Sequence, residues 1–189
     1  MVALRSVSTL AAQPADLPIA SIRRSVTPDD FRQVFRGYAA GVVVVTADAG
    51  DGPAGFTATS LSTLSLEPPL ISFSIANNSS AWSTIRRVDS LTINFLDADQ
   101  HATAARFATS GIDRFAQPTA WSRLDSGHVV LDDAPSILVA EVEYRWEMGD
   151  HHMIVAQVRR ADVRRSHAPL VYHAGNFGGV VPTQPEVSA

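Results

Sequence analysis

At least six strand-like segments, only short helical stretches between them, and no linker or internal repeat predict one largely antiparallel β-barrel domain with peripheral helices. A chain of 189 residues can bury such a core without disulfide staples. Its 46% hydrophobic and 18% charged residues are an ordinary globular balance.

The first element is a helix over residues 27–38, TPDDFRQVFRGY. Thr27 suits the N-cap, Pro28 the first helical position, and Asp29 and Asp30 the positive helix end. Phe31, Val34, Phe35 and Tyr38 then fall on one apolar face. After Gly41 the β-branched run Val42–Thr46 reads as a strand buried on both faces. Ala49–Gly55 is turn chemistry before a second strand starting near Phe56. Pro68 and Pro69 introduce a third strand, Leu70–Ile75, and a short helix is expected from Ser79 or Ser80 through Trp82 to Arg87. Leu91–Leu96 reads as strand, and Asp97 with Gln100 forms a capping box for a helix over 98–109. The stretch 111–135 has no clean period and is expected as loop with one short strand. Ile137–Glu147 and His151–Val163 are hairpin partners around Met148-Gly149-Asp150, and Leu170–His173 is a last strand before a glycine-containing tail. The domain is thus expected over 27–180, with a flexible arm over 1–26 and a tail over 181–189.

Two residue types are missing altogether. Without cysteine there is no disulfide framework, thiolate nucleophile, cysteine zinc site or CxxC redox pair. All 15 basic residues are arginine, which removes a Schiff-base lysine and the phosphate-binding lysine of a P-loop. A net charge of −4 argues against nucleic acid as the main partner. No apolar stretch approaches the ~20 residues of a membrane span. The first 26 residues lack the continuous apolar core of a secretory signal, so a cytoplasmic location is expected.

Gly50-Asp51-Gly52-Pro53-Ala54-Gly55 formally matches GxGxxG. The dinucleotide reading requires a helix to start there, with its N-terminus on the pyrophosphate. The strand-like Phe-Thr-Ala-Thr-Ser that follows makes it a hairpin instead. Residues 57–65, TATSLSTLS, place six hydroxyls in nine positions between apolar strands. They are therefore expected near the core rather than on a free edge, where hydroxyls and backbone N–H groups can bind a phosphate or a heterocycle rim without lysine. As a bare composition the same run also suits a solvated strand face. Asn77-Asn78-Ser79-Ser80-Ala81-Trp82 sits at an expected helix N-terminus, either as an ordinary cap or as an anion-receptive corner. His151 and His152 are adjacent on a strand, face opposite ways and cannot readily share one metal. No GxSxG nucleophile elbow is present.

In order, FRQVFRGYAAGVVVVTA, GFTATSLSTLSLEPPLISFSI, NNSSAWSTIR, LTINFL, RFA with GIDRF, GDHHMIVAQV and PLVYHAGNF resemble the short-chain flavin reductase family, from about Phe31 to Phe177. The resemblance implies the FMN-binding split-barrel fold, mainly β with peripheral helices. It implies that NADH, or less favoured NADPH, reduces FMN or FAD, and that the reduced flavin passes to a separate flavin-dependent monooxygenase. By position, Thr57, Ala58, Thr59 and Ser60 are implied at the ring edge and ribityl chain. Ser79 and Ser80, with the backbone around Ser62, Thr63 and Ser65, are implied near the phosphate, and Asn77 and Trp82 in that wall. Arg106, Phe107, Asp113, Arg114 and Phe115 fall near the cofactor mouth. Phe177 is implied to close over the flavin, and the catalytic role beside the nicotinamide falls to His151 of the GDH turn. A homodimer is implied as well.

Departures are Ala156 where the family usually has a smaller residue, His152 where threonine is commoner, and Asn176 where glycine or lysine is frequent. The absence of thiol, lysine and metal motifs suits this chemistry, because the cofactors carry it. The protein must hold the nicotinamide and flavin at roughly 3–3.5 Å and direct donors at the ring where negative charge develops. Arginine can offset phosphate charge in place of lysine. The competing reading is a non-catalytic flavin- or haem-binding split-barrel carrier or sensor.

Overall fold

The computed structural model describes residues 26–181. The arm expected over 1–26, save Val26, and the tail beyond Val181 lie outside the described residues. The chain divides into two units at Phe35/Arg36. Helix α1 (Pro28–Arg36) dominates the described part of the first, and it ends two residues short of the expected Tyr38. Its cap forms as expected: the Thr27 hydroxyl accepts from the Asp30 N–H at 3.1 Å and donates to the Asp30 carboxylate at 2.7 Å. None of its residues is buried.

The second unit contains β1 (Ala40–Gly41), β2 (Val43–Asp48), β3 (Pro53–Ala58), β4 (Ser62–Leu66), β5 (Pro69–Ala76), α2 (Trp82–Ile85), β6 (Ser90–Phe95), α3 (His101–Ala108), β7 (Trp121–Arg123), β8 (Val129–Leu131), β9 (Ser136–Met148), β10 (His151–Val163), β11 (Val171–His173) and β12 (Asn176–Gly178). Seven strands form one antiparallel sheet in the order β3-β2-β6-β9-β10-β5-β4. Its two edges, β3 and β4, are joined by only residues 59–61. Six inter-strand gaps of about 4.8 Å would separate the edges of a flat sheet by roughly 29 Å, whereas four Cα steps reach at most roughly 15 Å. The sheet must therefore curl into a barrel, and because β3 and β4 do not pair, the barrel is split along that seam.

Strand β2 shows why its valines are continuous. Val43 and Val45 face one apolar cluster inside the curl, with Phe56, Phe73, Ile93 and Ile154. Val42 and Val44 face a second, with Leu96, Phe107, Leu131, Ile137 and Leu170. Helix α2 adds Ile85 to the first cluster, and α3 adds Ala104 and Phe107 to the second.

The GxGxxG segment is a hairpin: the Asp48 carboxylate accepts from the N–H groups of Gly50 at 2.7 Å and Gly52 at 3.1 Å, and Gly50 and Gly52 have φ of 96° and 113°. Gly55 lies beyond the turn, inside β3. A Cβ there would stand 2.9 Å from both a Phe107 ring carbon and the Val45 carbonyl oxygen, so this glycine lets α3 close on the sheet. Gly55→Ala is expected to cost about 1–3 kcal/mol, read as a lower urea midpoint at constant slope.

Five expectations need correction. The 57–65 run is not one strand near the core: β3 stops at Ala58, and β4 is an exposed free edge. The Ser60 hydroxyl accepts the Ser74 N–H at 2.8 Å, a side-chain bond that takes the place of continued strand pairing there. The stretch 111–135 holds two short strands, β7 and β8, paired as a hairpin, because Val129–Leu131 fills the second cluster. Helix α2 is only four residues long and has Ala81 at its N-cap with no side-chain cap bond, so the serines there cap nothing. The glycine-containing tail forms β12 against β11, with Phe177 opposite Tyr172. The Asp97–Gln100 box is half made: the Gln100 side chain reaches the Asp97 N–H at 2.8 Å, but the Asp97 carboxylate takes the Ala98 N–H and α3 starts at His101.

The ionisable groups set an acid limit. Arg165 holds the Asp97 carboxyl, and Arg160 the Asp162 carboxyl, below the ordinary carboxylate range. At Asp48 burial opposes ionisation, but Arg123 and the Gly50 and Gly52 N–H groups outweigh it and the carboxyl is also lowered. Each such group contributes stability above the ordinary carboxylate value and loses it as pH falls through its lower folded value. Burial pushes the His128 imidazole, held between the Ser90 and Ser126 hydroxyls, below its ordinary 6.5. The unfolded chain therefore takes up that proton first, and stability declines as pH drops below 6.5. A melting series should show Tm flat above about pH 7 and falling steadily toward pH 4. A rise in Tm between pH 7 and 5 would contradict these signs.

Candidate functional site

The split creates a groove of about 400 Å³. Its walls come from the end of β3 and the link after it (Phe56–Ser60), the end of β5 (Ser74–Ala76), Asn78 and Ser79, the end of α3 with Ser110 and Arg114, and His151 at the start of β10. Strand parity explains the lining of β5. Ile71, Phe73 and Ile75 alternate into the core, which leaves Ser72, Ser74 and Ala76 on the opposite face. On the other side, Phe107 is fully buried and closes the base of the groove. The Thr57 hydroxyl donates to the Ala104 carbonyl at 2.6 Å, tying β3 to α3 beneath it.

Among the described residues, Arg114 is the only permanently charged one lining the groove, and no carboxylate lines it. Its Nε donates to the Thr109 carbonyl at 3.0 Å, and its Nη1 to the Gly55 carbonyl and the Ser80 hydroxyl, each at 3.0 Å. Among the described residues no carboxylate pairs with it. Burial pulls its guanidinium below the ordinary value, but arginine stays charged in proteins. A partly desolvated cation held by neutral oxygens retains strong attraction for an anion. At the far wall His151 Nδ1 lies 2.7 Å from the Asp150 carboxylate.

Of the residues singled out in the sequence, Thr57, Ala58, Thr59, Ser60, Ser79, Phe107, Arg114 and His151 line this groove, and Ser80 reaches it through Arg114. The others stand elsewhere. Ser62, Thr63 and Ser65 are on the free β4 edge. Arg106 donates to the carbonyls of Asp113, Arg114 and Ala116, so it shapes the loop that carries Arg114. Phe115 packs edge-on between Phe107 and Trp121, and Phe177 packs against the same second cluster. Asn77 and Trp82 face the 149–152 turn. Asn78, from the 77–82 cluster, also lines the groove, and Ser74 and Ser110 line it without having been singled out. The polar alternation of β5 is a usable signal for Ser74, whereas nothing local in the sequence marks Ser110.

A second cleft, of about 450 Å³, lies between Asp99, Asp132, Asp133 and Arg164, Arg165. Its arginines are committed, Arg164 to the Leu131 carbonyl and Arg165 to Asp97 and the Asp133 carbonyl, and its acidic lining repels anions. Among the described residues no helix is long and apolar enough to cross a membrane.

The seam groove thus combines a hydroxyl wall with an arginine that no carboxylate pairs among the described residues, and comparison with known proteins covers the same part of the chain. The chain is 43% identical over 152 residues to an NADH:FMN oxidoreductase of Rhodococcus qingshengii, covering 78% of this chain and 79% of the relative. It is 30% identical over 158 residues to the reductase subunit of a flavin-dependent monooxygenase of Rhodococcus jostii, covering 84% and 80%. A crystal structure of a flavin reductase domain protein from Arthrobacter superposes with a TM-score of 0.80 at 30% identity, over 85% of this chain and all of that one. Residues 35–180, which span the barrel and every wall of the groove, match the flavin reductase like domain, and to that family this chain belongs.

Proposed function

We propose that this protein is an NADH-dependent flavin reductase that binds flavin, FMN in preference to FAD, in the seam groove. It passes the reduced flavin to a separate monooxygenase. The observation that carries the site assignment is Arg114, a partly buried cation without a carboxylate partner among the described residues, beside hydroxyl-bearing walls. This donor set fits a flavin phosphate and the polar rim of its ring. Arg114, Ser79 and Ser80 would hold the phosphate. Thr57, Thr59, Ser60 and Ser74 would meet the ribityl chain and ring edge.

When bound, the flavin and nicotinamide supply the hydride chemistry themselves. The protein's work is placement. Phe107 and Ala58 exclude water from the base of the groove. Thr57, tied to α3, keeps the wall at constant width. His151 lines the groove, with its Nδ1 held by the Asp150 carboxylate. That arrangement orients the imidazole for a hydrogen bond to the nicotinamide amide.

The same reading includes a homodimer. Tyr144, Trp146 and Met148 alternate along one face of β9, opposite Val155, Met153 and His151 of β10. Tyr144 and Trp146 stack at 5.1 Å, and Tyr144 and Met148 remain exposed. This apolar row runs up to the groove at His151, and a second copy of the chain seated there would complete the site's open side.

The test is NADH and NADPH oxidation in air by flavin-stripped protein with FMN, with FAD and with neither. Saturable turnover that requires added flavin and prefers NADH is expected. Tight binding of one flavin with no turnover would transfer the protein to the carrier or sensor reading.

A further inference from the structure

Residues 77–82 and 149–152 face each other across the end of the β5–β10 ladder, whose last pair is Ala76 with His151. Beyond that pair only the Gly149-Asp150 turn remains, closed by the Met148–His151 pair of β9 and β10, and Gly149 there has a φ of 64°. Three ties join the 77–82 corner to this end of the hairpin. The Asn77 N–H donates to the Asp150 carbonyl at 3.0 Å. Its side-chain amide donates to the Gly149 carbonyl at 3.3 Å. The His152 ring lies flat on the Trp82 indole, with centroids 3.8 Å apart and planes within 15°.

None of these three residues lines the groove, yet Asn77 and His152 are each chain neighbours of one that does, and Trp82 bonds through its N–H to the lining Ser79. Asn77 precedes Asn78 and Ser79, and His152 follows His151. Strand parity turns His152 inward when His151 faces the groove. The 77–82 corner is itself held by Ser79 N–H to Ala76 carbonyl at 2.9 Å and Trp82 N–H to Ser79 carbonyl at 3.0 Å. Corner and hairpin tip are therefore bonded directly to each other beside both His151 and the Asn78–Ser79 wall.

We infer that Asn77, Trp82 and His152 are positioning residues that hold His151 against the flavin side of the groove and so set how NADH is accepted, without contacting either ligand. This rests on the flavin reductase reading. It reassigns Asn77 and Trp82 from ligand wall to scaffold, and it gives His152 a specific task.

The test uses His152→Ala, which removes the stack, and His152→Phe, which keeps a flat ring on Trp82. Small misplacements of a positioned group cost up to about 100-fold, so His152→Ala is expected to lower kcat/KM for NADH by about tenfold. The Kd for FMN should change by less than about twofold, and His152→Phe should restore most of the loss. Trp82→Leu added to His152→Ala should cause little further loss, since both break one contact. Wild-type kcat/KM in a folded His152→Ala variant would overturn the inference. So would a parallel loss of FMN affinity, or no rescue by phenylalanine. If the wild-type protein shows no flavin-dependent NADH oxidation, the reductase reading falls first, and this inference with it.

Discussion

Arg114→Met is expected to weaken FMN binding by about 10- to 100-fold, the loss of one charge-assisted contact worth about 1.5–3 kcal/mol. Riboflavin, which lacks the phosphate, should bind the variant nearly as well as it binds the wild type. The contrast matters because Arg114 also has structural partners in the Thr109 and Gly55 carbonyls. Loss of those bonds would loosen the 109–114 loop and weaken both ligands alike. Arg114→Lys should recover only part of the FMN affinity, since an ammonium cannot reproduce a planar fork held by two carbonyls and a hydroxyl. Fluorescence titrations of both flavins against the three proteins give the result. Equal losses for FMN and riboflavin would make Arg114 a loop clamp like Arg106 and remove it from the phosphate site.

The largest effect on stability is expected at Asn94, near the end of β6 and wholly buried. Its amide nitrogen donates to the Val44 carbonyl and the Thr46 hydroxyl, each at 3.0 Å, and its carbonyl oxygen accepts the Leu131 N–H at 2.9 Å. Asn94 thus fastens the β8 hairpin to the outer face of the barrel. Thr46 extends the network to the Val129 carbonyl at 2.6 Å. Asn94→Leu preserves approximate volume but strands buried polar groups on both strands, at about 1–3 kcal/mol each, for a total near 3 kcal/mol or more. Urea unfolding at constant slope would show it. A loss below about 1 kcal/mol would mean that water replaces the amide.

How much of this was legible from residues alone depends on the range of the interactions involved. The valine run of β2, the β9–β10 hairpin and the glycine turn at 50–52 were readable because local periodicity and turn chemistry dictate them. The break at Ser60 was not, because it depends on a bond to Ser74 of β5, fourteen residues on, that exists only once the link after β3 is folded against that strand. For the same reason β4 was misplaced: its hydroxyls say nothing about which strands remain unpaired. Gly55 looked like a turn residue and is instead a contact point for Phe107, which a pattern of glycines cannot reveal. Family resemblance placed the hydroxyl wall, Arg114 and His151 together, as the seam does. It could not tell wall from scaffold. Arg106, Asn77 and Trp82 lie within a few residues of the groove, but hydrogen bonds and stacking turn their side chains to other elements.

Flavin reduction in the seam groove is tested by comparing Ser60→Tyr with the wild-type protein. Ser60 is exposed and lines the groove, so a tyrosine there fills ligand space while losing only the bond to Ser74. FMN-dependent NADH oxidation should be saturable in the wild type and abolished in the variant, whose melting transition should stay cooperative. A folded Ser60→Tyr protein that binds FMN and oxidises NADH as the wild type does would show that the flavin site lies elsewhere on the barrel.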